Sequence, residues 1–376
     1  MESSFLVSAL KRTHVFRLSF YKQLWYSQGQ FGRKCARQAY QTSCEALVYR
    51  THGHYKDVLH LEKVPLHYVG DEDIHIRMLA APVNPADINM LQGTYGIIPS
   101  LPAIGGNEGV GKVLNVGSEV HNIKPGDWVI PVKSCFGTWR TEAVCKSSEV
   151  ISVPKDMSVI SAATLGVNPC TAYRMLMDFV SLQPGDTIIQ NGANSAVGQA
   201  VIQICASMGI NTINVIRDRP NINNLIDKLH FLGANYVITE RNSSEAEMGN
   251  IFKVVPRPIL ALNCIGGSSA GSIFTHLQDG STMVTYGGMS KKPTPLPAKA
   301  MIFQNIKICG FWMTQWKQNH KHDLERLKTM VCYLSDMVQK GKLLEPLCKQ
   351  VPFYDYNTAL QASMEMYSRK YVLRMD

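Results

Sequence analysis

Hydrophobic and polar positions along residues 186–216 follow two different spacings in turn. A short apolar, β-rich run at 187–189 leads into a turn of small residues at 190–195, and apolar residues then recur at helical spacing until Gly209. A second apolar run, 212–216, follows directly. Strand, tight turn, helix and strand in this order predict the first βαβ unit of a dinucleotide-binding domain.

The glycine pattern of this turn is incomplete. A dinucleotide fingerprint of the form G-x-G-x-x-G has three glycines, whereas this turn has only Gly192 and Gly198. The backbone N–H groups of the turn and of the helix start can still bind a pyrophosphate. Taken alone, the turn leaves open an ordinary βα loop in another kind of α/β protein.

Apolar runs and helical patterns continue to alternate through the second half of the chain. A helix is predicted at 222–232, and further strands are predicted at 236–238, 260–264, 283–286 and 306–309. This alternation predicts a parallel sheet covered by helices on both faces. A helix at 323–340, a segment at 343–354 and a last helix at 356–367 lack this rhythm, and we expect them to return to the first domain.

The first half has a different pattern. Short β-like runs and turns containing glycine or proline alternate from residue 45 to residue 132, with turns at Asn84-Pro85 and Pro125-Gly126-Asp127. This spacing is typical of a small irregular barrel. Residues 162–179 then read as one helix, although Gly166 and Pro169 should bend or break it.

Charge changes the interpretation of the N-terminus. The chain has 376 residues, enough for two domains, and a net charge of +9. Residues 1–44 carry seven basic residues against one acidic residue, so the remainder is almost balanced and a nucleic-acid-binding role is disfavoured. Basic, serine-containing and nearly acid-free, this segment is predicted to be a mitochondrial transit peptide; a basic tail without a targeting role is the alternative.

Neither a membrane span nor a metal site is predicted. No apolar run approaches the ~18–20 residues that a span needs. The ten cysteines include no C-x-x-C pair and are interpreted as reduced thiols. The pairs His52/His54 and His320/His322 lie in polar stretches without a nearby cysteine, which favours ordinary loop histidines.

Longer motifs identify a family resemblance. The stretches NPADINMLQGTYG (Asn84–Gly96), ATLGVNPCTAYRMLMDF (Ala163–Phe179), NVIRDRP (Asn214–Pro220) and TYGGMS (Thr285–Ser290) resemble the mitochondrial trans-2-enoyl-thioester reductases of the medium-chain dehydrogenase/reductase superfamily. The resemblance runs from about Ala46 to the C-terminus. It implies an α/β protein in which a GroES-like β-barrel catalytic domain (45–166 and 321–376) is interrupted by a Rossmann-fold cofactor domain (167–320).

One departure from the superfamily bears on the chemistry. Its zinc alcohol dehydrogenases have a histidine ligand in a G-H-E sequence, where this chain has Asn107, and the four-cysteine structural zinc lobe is missing. An amide is a poor zinc ligand, so another group must polarise the substrate. Tyr95 can do so, because a phenol is a neutral hydrogen-bond donor at pH 7. The resemblance implies that Tyr95 is the catalytic acid; without it, a tyrosine packed in a glycine-rich turn would be the better interpretation.

Cofactor preference is expected at the end of the second strand. Arg217 and Arg219 flank Asp218 there, and guanidinium groups favour the 2′-phosphate of NADPH over the 2′-hydroxyl of NAD. A solvated charge cluster is the alternative. The resemblance further implies cofactor contacts by Asn168, Asn194, Ser195, Ala196, Val197, Arg217, Asp218, Arg219, Tyr286, Gly287, Gly288, Met289, Phe311, Trp312, Met313, Thr314 and Lys370. Trp312 is also expected to line an acyl tunnel, with plain core packing of 311–313 as the alternative. The last helix departs from the family pattern around 366–369, next to Lys370.

The resulting hypothesis is an NADPH-dependent reductase of trans-2-enoyl thioesters. Its substrates would be carried by acyl carrier protein or CoA, in the last reductive step of fatty acid synthesis in the mitochondrial matrix, and the family commonly forms homodimers. Two alternatives stay open: a quinone or enone oxidoreductase of the same superfamily, and a non-catalytic binding protein on the same scaffold. The sequence alone does not favour carrier protein over CoA.

Overall fold

The computed structural model describes residues 43–242, 245–364 and 369–375. Almost all of the predicted transit peptide lies outside this part. The first strand begins at Ser43, two residues before the predicted start of the folded region.

The first third of the chain is rich in β-structure. Its elements are β1 (Ser43–Tyr49), α1 (Tyr55–Val58), β2 (Leu59–Pro65), β3 (Asp73–Pro82), α2 (Pro85–Leu91), β4 (Ala103–Ile104), β5 (Val110–Val116), β6 (Trp128–Pro131), β7 (Glu142–Lys146), β8 (Val150–Val153) and α3 (Val159–Ala163), with a 3-10 turn at Ser147–Glu149.

The middle of the chain alternates helices and strands. Its elements are α4 (Asn168–Asp178), β9 (Thr187–Asn191), α5 (Ala196–Met208), β10 (Asn211–Ile216), α6 (Ile222–Phe231), β11 (Tyr236–Thr239), α7 (Glu245–Ile251), β12 (Leu260–Asn263), α8 (Gly267–Thr275), β13 (Thr282–Thr285), α9 (Ala298–Phe303), β14 (Lys307–Gly310) and α10 (Met313–Asn319). The chain closes with α11 (Leu324–Gln339), β15 (Cys348–Pro352), a 3-10 turn at Phe353–Asp355, α12 (Tyr356–Ser363) and β16 (Lys370–Arg374).

The six middle strands form one parallel sheet in the order β11-β10-β9-β12-β13-β14. This order reverses direction between β9 and β12, which is the crevice where doubly wound sheets bind their ligands. Helix α5 connects β9 to β10 and ends at Gly209, whose φ of 71° is the left-handed conformation that glycine adopts readily. The predicted βαβ unit and its glycine stop are therefore present.

The β-rich part holds two further sheets. A seven-stranded sheet runs β15-β16-β3-β5-β6-β8, with β7 also paired to β3, and a three-stranded sheet runs β2-β1-β4. An isolated bridge pairs Ala46 of β1 with Arg140, two residues before β7. Because β15 and β16 come from the end of the chain, the C-terminal segment does return to the first domain, as predicted.

Three local predictions need correction. Residues 162–179 form two helices, α3 and α4, separated at 164–167, and Pro169 is tolerated in the first turn of α4 because the N–H it lacks would have no partner there. The predicted turn at Asn84-Pro85 begins helix α2 for the same reason.

The third correction concerns the C-terminus. Helix α12 ends at Ser363 instead of residue 367, and residues 365–367 of the predicted helix lie outside the described part. Lys370 then opens strand β16, which the sequence pattern did not predict and which pairs with both β15 and β3.

Candidate active site

Tyr95 lies in the turn that follows helix α2. Gly93 adopts a φ of 70°, and the N–H of Thr94 donates to the carbonyl of Asn89 at 2.9 Å, which reverses the chain after the helix. The next residue, Gly96, has no room for a side chain, because a Cβ there would lie 2.9 Å from the ring of Trp312. The turn therefore requires glycine where it meets this tryptophan.

Trp312 holds the phenol of Tyr95 directly. Its indole Nε1 donates to the Tyr95 hydroxyl oxygen at 2.6 Å, and the two rings meet edge to face with centroids 5.3 Å apart. Trp312 lies between β14 and α10 of the parallel-sheet region, 217 residues from Tyr95. The fold thus joins the predicted catalytic acid to one of the predicted cofactor segments. Asn89, six residues before Tyr95, is exposed on α2.

The turn between β9 and α5 has the shape that a pyrophosphate site needs. Gly192 has a φ of 57°, and Ser195 caps α5 by accepting from the N–H of Gly198 at 3.1 Å. A Cβ on Gly198 would lie 2.5 Å from the carbonyl oxygen of Ala193, so only glycine allows this close approach of helix and turn. The half-buried residues 194–197 leave the helix start accessible.

Two further predicted cofactor segments follow the carboxyl ends of strands in the same sheet. Tyr286 follows β13, and burial raises the pKa of its phenol well above the ordinary value, so the group stays neutral. Phe311 follows β14 and packs edge to face on Phe179, and Met313 is buried in the core. Met289, by contrast, is exposed.

The Arg217–Arg219 segment follows β10. All three residues are half-buried, and the Nε of Arg219 donates to the carbonyl oxygen of Arg217 at 3.5 Å. Asp218 forms an ion pair with Arg241, whose Nε lies 3.2 Å from its carboxylate. Sequence reasoning missed Arg241, which lies beyond the next strand. This pair directs the acidic side chain of the segment toward a cation.

Asn168 and Lys370 meet at a buried amide. The Lys370 ammonium lies 2.5 Å from Oδ1 of Asn84, and Nδ2 of Asn168 donates to the same oxygen at 3.2 Å. Nδ2 of Asn84 donates to Glu108 at 2.8 Å. Asn84 and Glu108 were not predicted as site residues; the only signals were a residue preceding a proline and the acid of the Gly106–Glu108 run.

The position of the missing zinc ligand is fully hydrogen-bonded. Nδ2 of Asn107 donates to Asp87 at 2.7 Å, and its Oδ1 accepts from the N–H of Cys135 at 2.7 Å. Burial of Asp87 raises its pKa to about 6, although the bonds from Asn107 and from the Asn84 N–H oppose this shift. Across the described residues, no group of three or more histidine, cysteine or acidic side chains is arranged to hold a metal ion.

Comparison with known proteins agrees with this architecture. Residues 70–163 match the family model of the alcohol dehydrogenase GroES-like domain, and residues 196–329 match that of the zinc-binding dehydrogenases. The enoyl-[acyl-carrier-protein] reductase, mitochondrial, of Rattus norvegicus is 51% identical over 354 residues, covering 94% of each chain. The chain belongs to the mitochondrial enoyl-[acyl-carrier-protein] reductase family.

Solved structures of related reductases have a fold similar to that of this chain. The Etr1p/NADP/crotonyl-CoA complex has a TM-score of 0.83 at 33% identity, covering 89% of this chain and 100% of that one. The mitochondrial 2-enoyl thioester reductase Etr1p/Etr2p heterodimer from Candida tropicalis has a TM-score of 0.82 at the same identity and coverage. The predicted superfamily and its two-part α/β fold are confirmed.

Proposed function

We propose that this chain catalyses the NADPH-dependent reduction of trans-2-enoyl thioesters to saturated acyl thioesters, with Tyr95 as proton donor. The observation that carries the proposal is the 2.6 Å hydrogen bond between Trp312 and Tyr95, because it places a phenol proton source beside the predicted cofactor segments. The reductase family and the Etr1p complex with NADP and crotonyl-CoA support the same reaction.

The chain's residues fit NADPH. The N-terminus of helix α5 lies at the topological switch point of the sheet. Gly192 and Gly198 allow the tight turn that precedes this helix start. The buried hydroxyl of Tyr286 lies close to the side chains of Cys264 and Ser195, and Ser195 belongs to this turn. Arg217 and Arg219 would bind the 2′-phosphate. When bound, NADPH supplies the hydride that reaches Cβ of the substrate.

Tyr95 completes the reduction. As the double bond is reduced, negative charge develops toward the thioester oxygen and Cα, and a nearby neutral donor stabilises this charge and then delivers a proton to Cα. The phenol oxygen already accepts the Trp312 N–H, so the phenol proton remains available to the substrate.

Cellular role and partners follow from the family. The relatives are named mitochondrial enoyl-[acyl-carrier-protein] reductases. In keeping with these names, we propose that the chain acts in the mitochondrion, at the last reductive step of fatty acid synthesis. We also propose that residues 1–44 are its transit peptide and that acyl carrier protein presents the substrate. Among the described residues, no helix has the length and apolar character to cross a bilayer. We propose that residues 45–166 and 321–376 form the catalytic domain and that residues 167–320 form the cofactor domain.

A homodimer is also proposed. Strand β14 is an outer strand of the parallel sheet, and the preceding helix α9 exposes Ile302 and Phe303 by 69% and 76%. Large exposed apolar side chains beside a sheet edge are typical of a protein interface. The Etr1p/Etr2p heterodimer shows that a related reductase assembles in pairs.

The test is a Tyr95→Phe variant assayed with NADPH and 2-hexenoyl-CoA. We expect kcat to fall by roughly 10²–10⁴-fold, the usual contribution of general acid catalysis, while NADPH binding by fluorescence titration is almost unchanged. Tyr68→Phe, which alters a tyrosine that is 84% exposed, is the matched control. Turnover of Tyr95→Phe at the wild-type rate would exclude the proposed proton donor.

The same assay separates the alternative functions. Wild-type protein that oxidises NADPH with a quinone and not with the enoyl thioester would favour the quinone oxidoreductase. Binding of NADPH without turnover of either acceptor would favour a non-catalytic binding protein.

A further inference from the structure

A buried network connects the Tyr95-bearing segment to two predicted cofactor ligands. Asn84 directly precedes helix α2, which leads to Tyr95, and its side chain is 4% exposed. Its Oδ1 accepts from both Lys370 and Asn168, and its Nδ2 donates to Glu108. One amide therefore contacts a strand of the C-terminal segment, the start of α4 and the Gly106–Glu108 run.

The direction of the Asn84 amide is fixed by its partners. An ammonium group has donors and no acceptor, so the atom that faces Lys370 must be the amide oxygen. Nδ2 then faces Glu108, whose Oε2 accepts. A flipped amide would place two donors against each other on the Lys370 side.

Glu108 uses both of its oxygens. Oε1 accepts from the N–H of Val167 at 2.7 Å, immediately before Asn168, and Oε2 accepts from Asn84 and lies 3.9 Å from the Lys370 ammonium. Only 2% of the Glu108 side chain and 8% of the Lys370 side chain are exposed. A charge pair this deeply buried is costly unless its hydrogen bonds are complete, so loss of one partner disturbs the others.

We infer that Asn84 and Glu108 are positioning residues of the reductase, which orient Lys370 and Asn168 toward the cofactor. The inference rests on the proposed NADPH site. Glu108 binds the N–H of Val167, just before α4, and also binds the amide of Asn84. That amide in turn accepts from Lys370 and Asn168, the two predicted cofactor ligands. Neither Asn84 nor Glu108 needs to touch the substrate.

The hydrogen-bond pattern supplies a compensating pair of substitutions. In Glu108→Gln, the side-chain oxygen can keep the Val167 bond only if its NH₂ faces Asn84, which then must turn its oxygen away from Lys370. Adding Asn84→Asp restores an acceptor toward Gln at 108 and another toward Lys370 and Asn168. The double variant also keeps one negative charge in the cluster. The backbone N–H of Asn84, which donates to Asp87 at 2.8 Å, is unaffected.

The experiment measures steady-state kinetics, NADPH binding by fluorescence titration and Tm for wild type, Glu108→Gln and Asn84→Asp/Glu108→Gln. We expect the KM and Kd for NADPH to rise about tenfold or more in Glu108→Gln, as expected for a lost charged hydrogen bond. The double variant should return to within about threefold of wild type. Glu149→Gln, which removes a surface pair with Lys133, is the matched control and should change neither constant.

Specific outcomes would overturn the inference. An unchanged KM for NADPH in Glu108→Gln, or a double variant no better than the single one, would show that the network does not position the cofactor ligands. A lower Tm with unchanged NADPH constants, or failure of both variants to fold, would assign a purely structural role. Turnover of the enoyl thioester by the wild-type protein, measured in parallel, tests the proposed function separately. The proposed function and the inference about Asn84 and Glu108 can therefore fail independently.

Discussion

An indole N–H donates and does not accept, which gives the Trp312–Tyr95 contact a direction. Donation to the phenol oxygen leaves the phenol proton free and also stabilises the phenolate that forms as this proton leaves. The contact therefore favours proton transfer as well as orientation. The ring of Trp312 also packs against Gly96, where no side chain fits, and this packing keeps the two rings in place.

Trp312→Phe should lower kcat by about three- to tenfold with the enoyl thioester. The change keeps an aromatic ring beside Tyr95 and removes a neutral hydrogen bond, which is worth about 0.5–1.5 kcal/mol. Trp316→Phe is the matched control, because that indole lies on the following helix and donates to Asp178 at 3.1 Å. An equal loss of kcat in both variants, measured by stopped-flow single turnover, would contradict a specific role for the Trp312 N–H.

The buried Asp87 makes the free energy of unfolding depend on pH, and the direction of this dependence can be derived from its pKa. Its pKa is raised by burial from 3.8 to about 6, so between these values the folded state binds more protons than the unfolded state. Stability from this residue is fully present below pH 3.8 and is lost as the pH rises through 6.

The expected signature is a difference between wild type and Asp87→Asn in urea unfolding. From pH 4 to pH 7, wild type should lose on the order of 2 kcal/mol of unfolding free energy relative to the variant, which cannot ionise. The variant also disturbs the Asn107 bond, but that effect does not depend on pH. A difference that stays constant over this range would show that Asp87 titrates normally.

At the scale of elements, we expect the end of β10 to determine the preference for NADPH over NADH. Arg219→Ala should reduce the ratio of kcat/KM for NADPH to that for NADH by roughly 10- to 100-fold, because a guanidinium bond to phosphate is charge-assisted. Arg241→Ala is the control: this side chain is exposed, pairs with Asp218 and should change the ratio much less. An unchanged ratio in Arg219→Ala would show that other residues recognise the 2′-phosphate.

The elements that the sequence predicted well are those whose signal is local. Helix α5 could be found because a turn of small residues, apolar positions at helical spacing and a stop at Gly209 all lie within residues 190–209. Strand β16 was missed because it is five residues long and is defined by pairing with β3, almost three hundred residues earlier. Local periodicity carries no information about such a partner.

The residues of the candidate site also divide into those with a local sequence signal and those defined by long-range contacts. Tyr95 and the arginines after β10 could be named from motifs, whereas the bond from Trp312 spans 217 residues and could not. Asn84 and Glu108 were not predicted as site residues, because their contacts include a lysine at the other end of the chain. Amide direction and shared acceptors are properties of three-dimensional contacts and leave no trace in spacing.

At the scale of the molecule, one hydrophobic core passes through both parts of the fold. It contains Val110 and Ile130 from the β-rich part, Ile188 and Val284 from the parallel sheet, and Leu334 from α11. A shared core favours a fixed relation between Tyr95 and the cofactor segments. Catalytic geometry is then set by the packing of the whole fold, in addition to the single contact with Trp312.

The proposed dimer gives the last prediction at this scale. Ile302→Asp/Phe303→Asp should convert a dimer to a monomer in sedimentation velocity, because charges placed on an apolar contact face must be desolvated when the interface forms. Phe231→Asp is the control: Phe231 is 77% exposed on α6, which leads to β11 at the opposite edge of the same sheet. That variant should keep the wild-type sedimentation coefficient. A dimer that survives the α9 substitutions and is lost with Phe231→Asp would place the interface at the β11 edge instead.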